Sequence, residues 1–259
     1  MNYNGVIAVM LAALAFAAVR WLLRLRPVKT RVLVFCLAAL AAVPALLTGL
    51  YYFHVLPQWA WFYELRSWPG TEFLVIFLGG AAGAATTLLP RRLLEWVAIA
   101  TAIVAVVPYI KPVIGPLPDS TFKDSWQDGV CMQSTPSTCG PASVCTLLKQ
   151  FGITTTERTV ARAAYSYAGG TEAWYLARYI RRQGLVPHFD FRNTFTPEAG
   201  WPAMVGVRVE GFGHFIAVLD VTGGQVTYAD PMEGRQRLPL AEFQKHYQFT
   251  GFQMVICKP

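Results

Sequence analysis

Between Val32 and Tyr52 the chain runs 21 residues without a charged side chain. That length, as a helix rising about 1.5 Å per residue, crosses a hydrocarbon core. Three further stretches share this character. Gly5–Val19 continues into Arg20-Trp21-Leu22-Leu23, Phe73–Leu89 is uncharged and rich in Gly and Ala, and Leu93–Ile110 has Glu95 as its one acid. The pattern predicts an all-α transmembrane region of four helices within residues 1–118. A cleaved signal peptide carries basic residues ahead of its apolar run. Met1-Asn2-Tyr3-Asn4 has none, so the first helix is expected to be retained.

Charge divides the chain in the same place. Residues 1–118 carry net +6, whereas residues 119–259 carry net +1 with ordinary globular composition. The basic surplus lies beside apolar runs, which favours a lipid-bilayer partner over nucleic acid. Arg20, Arg24, Arg26, Lys29 and Arg31 surround the first connection, and Arg91 and Arg92 occupy the third. The positive-inside rule puts both in the cytoplasm of a bacterial inner membrane and residues 119–259 on the extracytoplasmic, periplasmic side. The second connection, His54 to Gly70, holds Trp59, Trp61, Phe62, Tyr63 and Trp68, and reads as an aromatic belt at the membrane interface, His54 included. Glu95, beside Trp96, is expected at the interface as well. Gly79 and Gly83 form a GxxxG pair, expected to let helices approach closely within one bundle. Pro112, Pro116 and Pro118 predict a stiff linker over Lys111–Pro118, and with it the boundary between residues 1–118 and 119–259.

In the second half, helical spacing predicts a helix over 139–151, and further helices over Glu157–Tyr167, Thr171–Gln183 and Leu240–His246. Short runs rich in Val, Phe and Ile predict strands at Pro187–Phe191, Pro202–Glu210, His214–Val221, Gln225–Ala229 and Phe252–Cys257. Gly223-Gly224 suits a tight hairpin. Helices followed by antiparallel strands give an α+β domain.

Its chemistry centres on Cys139, which opens the first of these helices. A thiol attacks as thiolate, and a helix N-terminus stabilises the anion. Gln133, in the loop ahead, can aim an amide at the same spot to hold an oxyanion. His214, in Gly213-His214-Phe215, is a candidate base, and Asp230, in Ala229-Asp230-Pro231, a candidate orienter. Together they describe a cysteine hydrolase. Cys145 reads as a small buried hydrophobe, and His188 and His246 as surface or structural. With no CxxC or HxxxH spacing, neither a metal nor another cofactor is expected. An extracytoplasmic domain admits one disulfide, for which Cys131 with Cys257 is the expected pair, leaving Cys139 free.

The segment Gln133-Ser-Thr-Pro-Ser-Thr-Cys139-Gly140-Pro141-Ala142 resembles the active-site start of the C39 peptidases, the bacteriocin-processing, papain-like cysteine peptidases. Gly213-His214-Phe215 through Asp220 resembles that family's histidine strand, and Tyr228-Ala229-Asp230-Pro231 with Gly234 its aspartate motif. The resemblance covers roughly residues 126–257. It implies a papain-like fold, with Cys139 as nucleophile, His214 as general base and acid, Asp230 as orienter and Gln133 as oxyanion donor. It also implies cleavage after a Gly-Gly pair in the leader of a small secreted or membrane polypeptide. The chain departs from the family at Thr138, where aspartate is common. It also lacks any GxxxxGK[ST] phosphate loop, and its catalytic half follows the helices. Two other readings fit the same scaffold: a non-catalytic peptide-binding module serving membrane-complex partner proteins, and an amidase or transpeptidase.

Overall fold

The computed structural model describes residues 2–53 and 55–259, so the expectation for His54 lies outside the described residues. Five helices come first: α1 (Tyr3–Leu23), α2 (Val28–Tyr52), α3 (Ala60–Ser67), α4 (Val75–Ala85) and α5 (Leu94–Ile114). The chain divides into two compact units. One comprises Met1–Pro57 with Pro69–Ile114, and the other comprises Gln58–Trp68 with Gly115–Pro259.

Among the described residues, three helices of the first unit are long and apolar enough to cross a membrane: Tyr3–Leu23, Val28–Tyr52 and Arg91–Ile114. The remaining expected span, Phe73–Leu89, is shorter: its helical part is Thr71–Ala85. The reason lies at its end. The Thr86 and Thr87 hydroxyls donate to the Gly83 and Ala84 carbonyls, each at 2.7 Å, and Pro90 follows. Side-chain bonds of this kind compete with the helical ladder.

Small residues hold this unit together. A Cβ on Gly79 would lie 2.0 Å from the Ala12 carbonyl oxygen, and one on Gly83 2.5 Å from that of Phe16. The GxxxG pair therefore seats α4 on two carbonyls one turn apart on α1, the close approach expected of it. Ala8, Ala12, Ala45, Val75 and Ala105 fill the centre. At one end, the Arg31 guanidinium donates to the carbonyls of Arg26 (2.7 Å), Arg24 (3.0 Å) and Thr87 (3.0 Å). That brings the first and third connections together. Toward the opposite end, Tyr109 donates to the Glu72 carbonyl at 3.4 Å, and Lys111 lies over the Tyr52 ring.

Two expectations for this half change. α5 continues through Lys111 and Pro112 to Ile114, and Gly115–Pro118 packs as part of the second unit, with Pro116 bridged to Tyr167. Proline keeps a helical φ while removing one donor, and apolar bundles accommodate that loss. The aromatic connection is not one interfacial belt. Phe62 and Tyr63 are each 3% exposed, and α3 belongs to the second unit. There Tyr63 packs against Phe189, Phe191 and Trp174 at centroid distances of 5.2, 5.0 and 5.4 Å. Glu64 accepts from Phe189 N at 3.1 Å and pairs with Arg181 at 2.5 Å. Trp61 and Trp68 remain exposed.

The rest of the second unit opens with a small hairpin, β1 (Trp126–Gln127) and β2 (Val130–Cys131). Helices α6 (Cys139–Gln150), α7 (Glu157–Ala163) and α8 (Ala173–Arg182) follow. Then come β3 (Val186–Phe191), β4 (Ala203–Val209), β5 (Phe212–Thr222), β6 (Gln225–Asp230), β7 (Gly234–Pro239), α9 (Leu240–His246) and β8 (Gln248–Cys257). Six strands form one antiparallel sheet in the order β3-β8-β4-β5-β6-β7. This is the α+β, papain-like order expected, helices ahead of sheet. Gly223 and Gly224 both take positive φ between the paired residues Thr222 and Gln225, making the expected two-residue turn. The edge strand β7 is not among the predicted strands, because Arg235-Gln236-Arg237 at the centre of Gly234–Pro239 gives no apolar run, as suits an edge. Buried Val205, Val207, Ile216, Val218, Val226, Tyr228, Phe243 and Tyr247 form the core on one side of the sheet.

Candidate active site

Cys139 is the first residue of α6, where the leading N–H groups have no intrahelical partner. Pro141 fits the first turn because its missing donor costs nothing there. The loop before it is held by its own polar groups. Thr138 is fully buried, donates its hydroxyl to the Thr135 carbonyl (2.9 Å) and accepts from Thr135 N (3.1 Å). Ser134 N donates to Glu157 Oε1 at 2.7 Å, and the Ser134 hydroxyl bonds the other oxygen of that buried carboxylate.

His214 lies on β5 and Asp230 ends β6, adjacent strands of the sheet. A second contact sets α6 against β5. Ser143, one turn beyond Cys139, donates its hydroxyl to the Phe215 carbonyl at 2.9 Å, beside His214. Gly140 permits this approach: a Cβ there would lie 2.8 Å from Leu176 Cδ1 and 3.4 Å from the Phe215 ring.

The imidazole is thereby caught between two groups. His214 Nε2 is 2.9 Å from Asp230 Oδ1, and the Cys139 thiol lies near enough to the same ring to favour its charged form. With Nε2 on the carboxylate, Nδ1 is the nitrogen left to exchange a proton with sulfur. Burial works against the charged ring, but the bond to Asp230 and the nearby Cys139 thiol outweigh it, and the His214 pKa is raised to about 9. Burial likewise opposes the Asp230 carboxylate. Bonds from His214, from the Tyr247 hydroxyl to Oδ2 (2.7 Å) and from Met232 N to Oδ1 (2.7 Å) hold its pKa below the ordinary value. The arrangement can draw a proton from sulfur to nitrogen and keep the resulting imidazolium paired.

Gln133 sits beside this group. Its backbone N–H donates to the Pro231 carbonyl at 2.9 Å, next to Asp230. Its Oε1 is buried and has no hydrogen-bond partner among the described residues.

Sequence reasoning missed Ser143, Glu157 and Tyr247. Ser143 was within reach, since four residues along a helix returns to the face of Cys139. Glu157 begins α7 after the Thr156 cap, a local pattern that discloses nothing of Ser134. Tyr247 follows α9 and carries no motif. His188 is exposed on β3, and His246 is exposed with its ring edge-on to Tyr247.

The expected Cys131–Cys257 disulfide is not formed: every described cysteine is a free thiol. Cys257 is exposed at the end of β8, opposite Val186, whereas Cys131 is buried. Cys131 N donates to Thr146 Oγ1 at 2.9 Å, and its thiol neighbours that of Cys145. Burial first, then this neighbour, pushes the Cys145 thiol well above its ordinary pKa.

A sequence model of the peptidase C39 family matches residues 127–259. The probable functional amyloid protease FapD of Pseudomonas aeruginosa is 25% identical over 132 residues, covering 48% of this chain and 58% of that protein. The chain thus spans little more than half of that relative's length. The lactococcin-G-processing and transport ATP-binding protein LagD of Lactococcus lactis is 24% identical over 126 residues, covering 47% of this chain and 18% of that one. Among solved structures, a double glycine motif protease from an AMS/PCAT transporter, in complex with its leader peptide, is 23% identical with a TM-score of 0.44. It covers 50% of this chain and 91% of that one.

Proposed function

This chain belongs to the peptidase C39 family and is a peptidase, and we propose that it is a membrane-anchored one that cuts a small secreted or membrane polypeptide after a glycine pair. The observation that carries the reading is the imidazole of His214, held between the thiol of Cys139 and the buried carboxylate of Asp230. In this reaction His214 takes the proton of Cys139, and the sulfur attacks the scissile carbonyl. The backbone N–H of Cys139, at the helix N-terminus, and the carboxamide of Gln133 receive the oxyanion. His214 then returns the proton to the leaving amine, and water, deprotonated by the same ring, releases the acyl group. Asp230 keeps the ring oriented and its positive form paired. The glycine preference is what the family resemblance implies. That FapD is named for amyloid proteolysis and LagD for processing lactococcin G agrees with a polypeptide substrate.

The three long apolar helices serve as the anchor. Arg31 joins the first and third connections at one end of the helical unit, the end rich in Arg and Lys, which supports a cytoplasmic position for it. The chain leaves α5 at the other end, so the peptidase works on the extracytoplasmic face. Alkaline phosphatase fused after Pro259 is then active in cells, and an inactive fusion reverses the orientation.

Full-length protein co-expressed with a small polypeptide bearing a Gly-Gly leader should cleave it after the pair, read by mass spectrometry. Cys139→Ala should abolish the cut, a loss of at least about a thousandfold, with the fold kept. Cleavage that survives this change removes Cys139 as nucleophile. Cleavage only away from glycine leaves the chemistry and removes the substrate class. Amide transfer to an added amine in place of hydrolysis favours the transpeptidase reading.

A further inference from the structure

We propose that Tyr247 is a positioning residue of this active site, its phenol holding the Asp230 carboxylate turned toward His214. The proposal rests on the cysteine-peptidase reading above. A carboxylate swings easily about its last bond, whose preferences are broad. On Oδ1, Asp230 accepts from His214 Nε2 and from Met232 N, and both bonds are lost together if the group rotates. Oδ2 accepts from one phenol, Tyr247, at 2.7 Å. That bond engages the oxygen that the imidazole does not use, so the two together resist rotation.

The phenol is itself well placed. Tyr247 is buried between the end of α9 and the start of β8, its ring against Phe243 (5.3 Å) and Tyr228 (5.6 Å). Asp230 therefore takes its orientation from the hydrophobic core of the domain. The bond is also charge-assisted, the stronger class. It is among the contacts that hold the Asp230 carboxyl low, whereas burial acting alone would raise it. The other ionisable groups facing this pair are His214 from β5, Cys139 from α6, Tyr228 from β6, Glu233 from the turn after it, and His246 from α9.

Tyr247→Phe keeps the ring and removes the donor. In the full-length protein, turnover of a fluorogenic peptide carrying Gly-Gly before the scissile bond should fall roughly tenfold, with KM little changed, since a bond to a charged group is lost. The acidic limb of the rate profile should move to higher pH, because Asp230 then protonates more readily. A substrate-free readout follows the same group: the pH at which iodoacetamide alkylates Cys139, read on its own peptide by mass spectrometry, should rise in step. In an Asp230→Asn background, Tyr247→Phe should add no further loss.

An unshifted alkylation profile, or a full additive loss in the Asp230→Asn background, overturns the proposal. The second result is also what a folding defect produces. If the wild-type protein ignores the peptide but Tyr247→Phe still shifts the alkylation profile, the glycine reading falls and Tyr247 stands.

Discussion

At Gly79 a single added carbon would collide with a backbone oxygen of α1, 2.0 Å away. At Tyr63 a whole phenol ring fills the space between Phe189, Phe191 and Trp174. The two residues belong to different units, and their contrast runs through each. The helical unit is centred on Ala8, Ala12, Ala45 and Ala105, while the peptidase unit buries Trp174, Tyr228, Phe243, Met204 and Met254. Helices in lipid gain nothing from hiding apolar surface and associate through close backbone packing. A domain in water is held by the area it hides, and large side chains hide most. Segment 58–68 takes the second strategy although it lies in sequence between helices of the first unit.

Truncation gives the largest expected effect. Tyr63→Ala should destabilise the peptidase unit by about 3–5 kcal/mol. Hydrogen exchange read by mass spectrometry should show faster exchange in α8, β3 and β8 and none of it in α1 or α2. Equal acceleration in both units breaks the comparison. A shortened chain beginning at residue 119 lacks α3 altogether, and its α8–β3 face should exchange faster still.

The converse change comes next. Gly79→Val should cost the helical unit about 1–3 kcal/mol or more, as overpacking does. Cys139 should keep its alkylation rate in this variant. A peptidase unit that loosens along with the helices contradicts the division into two independently packed parts.

A third difference lies in protons. His214 has a pKa of about 9 against an ordinary 6.5, because the bond to Asp230 and the nearby Cys139 thiol overcome the opposing effect of burial. A raised value means stability that is fully present below about pH 6.5 and lost as pH climbs through 9. Asp230 is held low, so its contribution is present above the ordinary carboxylate range and lost as pH falls through its folded value. The peptidase unit should therefore melt earlier at both alkaline and acid pH. A plateau from pH 6.5 to beyond 9 contradicts the pairing of His214.

How much of this could be read beforehand follows the same contrast. The convergence of Cys139, His214, Asp230 and Gln133 was legible because each sits in a local motif and the proposed chemistry requires all of them. The α+β order was legible because period and turn residues are local signals. Tyr63 was not: its neighbours Trp59, Trp61 and Trp68 carry the composition of a membrane interface, and only the packing sorts buried Phe62 and Tyr63 from exposed Trp61 and Trp68. The end of α4 was obscured because Thr86 and Thr87 turn their hydroxyls back onto the helix, a conformational choice that hydropathy does not record. The expected Cys131–Cys257 bridge failed for a related reason. Spacing does not tell which cysteine faces the core, and it is Cys145 that faces Cys131.

The smallest expected change tests whether a polar bond can matter in a unit held mainly by buried area. Ser143→Ala removes the hydroxyl that donates to the Phe215 carbonyl, at a cost of about 1 kcal/mol, a small part of the stability of such a domain. Yet the bond joins the helix that carries Cys139 to the strand that carries His214, with Ser143 one helical turn from the thiol and Phe215 next to the imidazole in sequence. The proposed proton transfer between the two requires their separation to stay within hydrogen-bond reach. Turnover should therefore fall by a larger factor than the stability change would produce, while KM holds. Ser143→Thr, which keeps a donor, should recover part of the rate. If melting temperature and turnover fall in proportion, or threonine recovers nothing, Ser143 is only one more packing contact of the larger core.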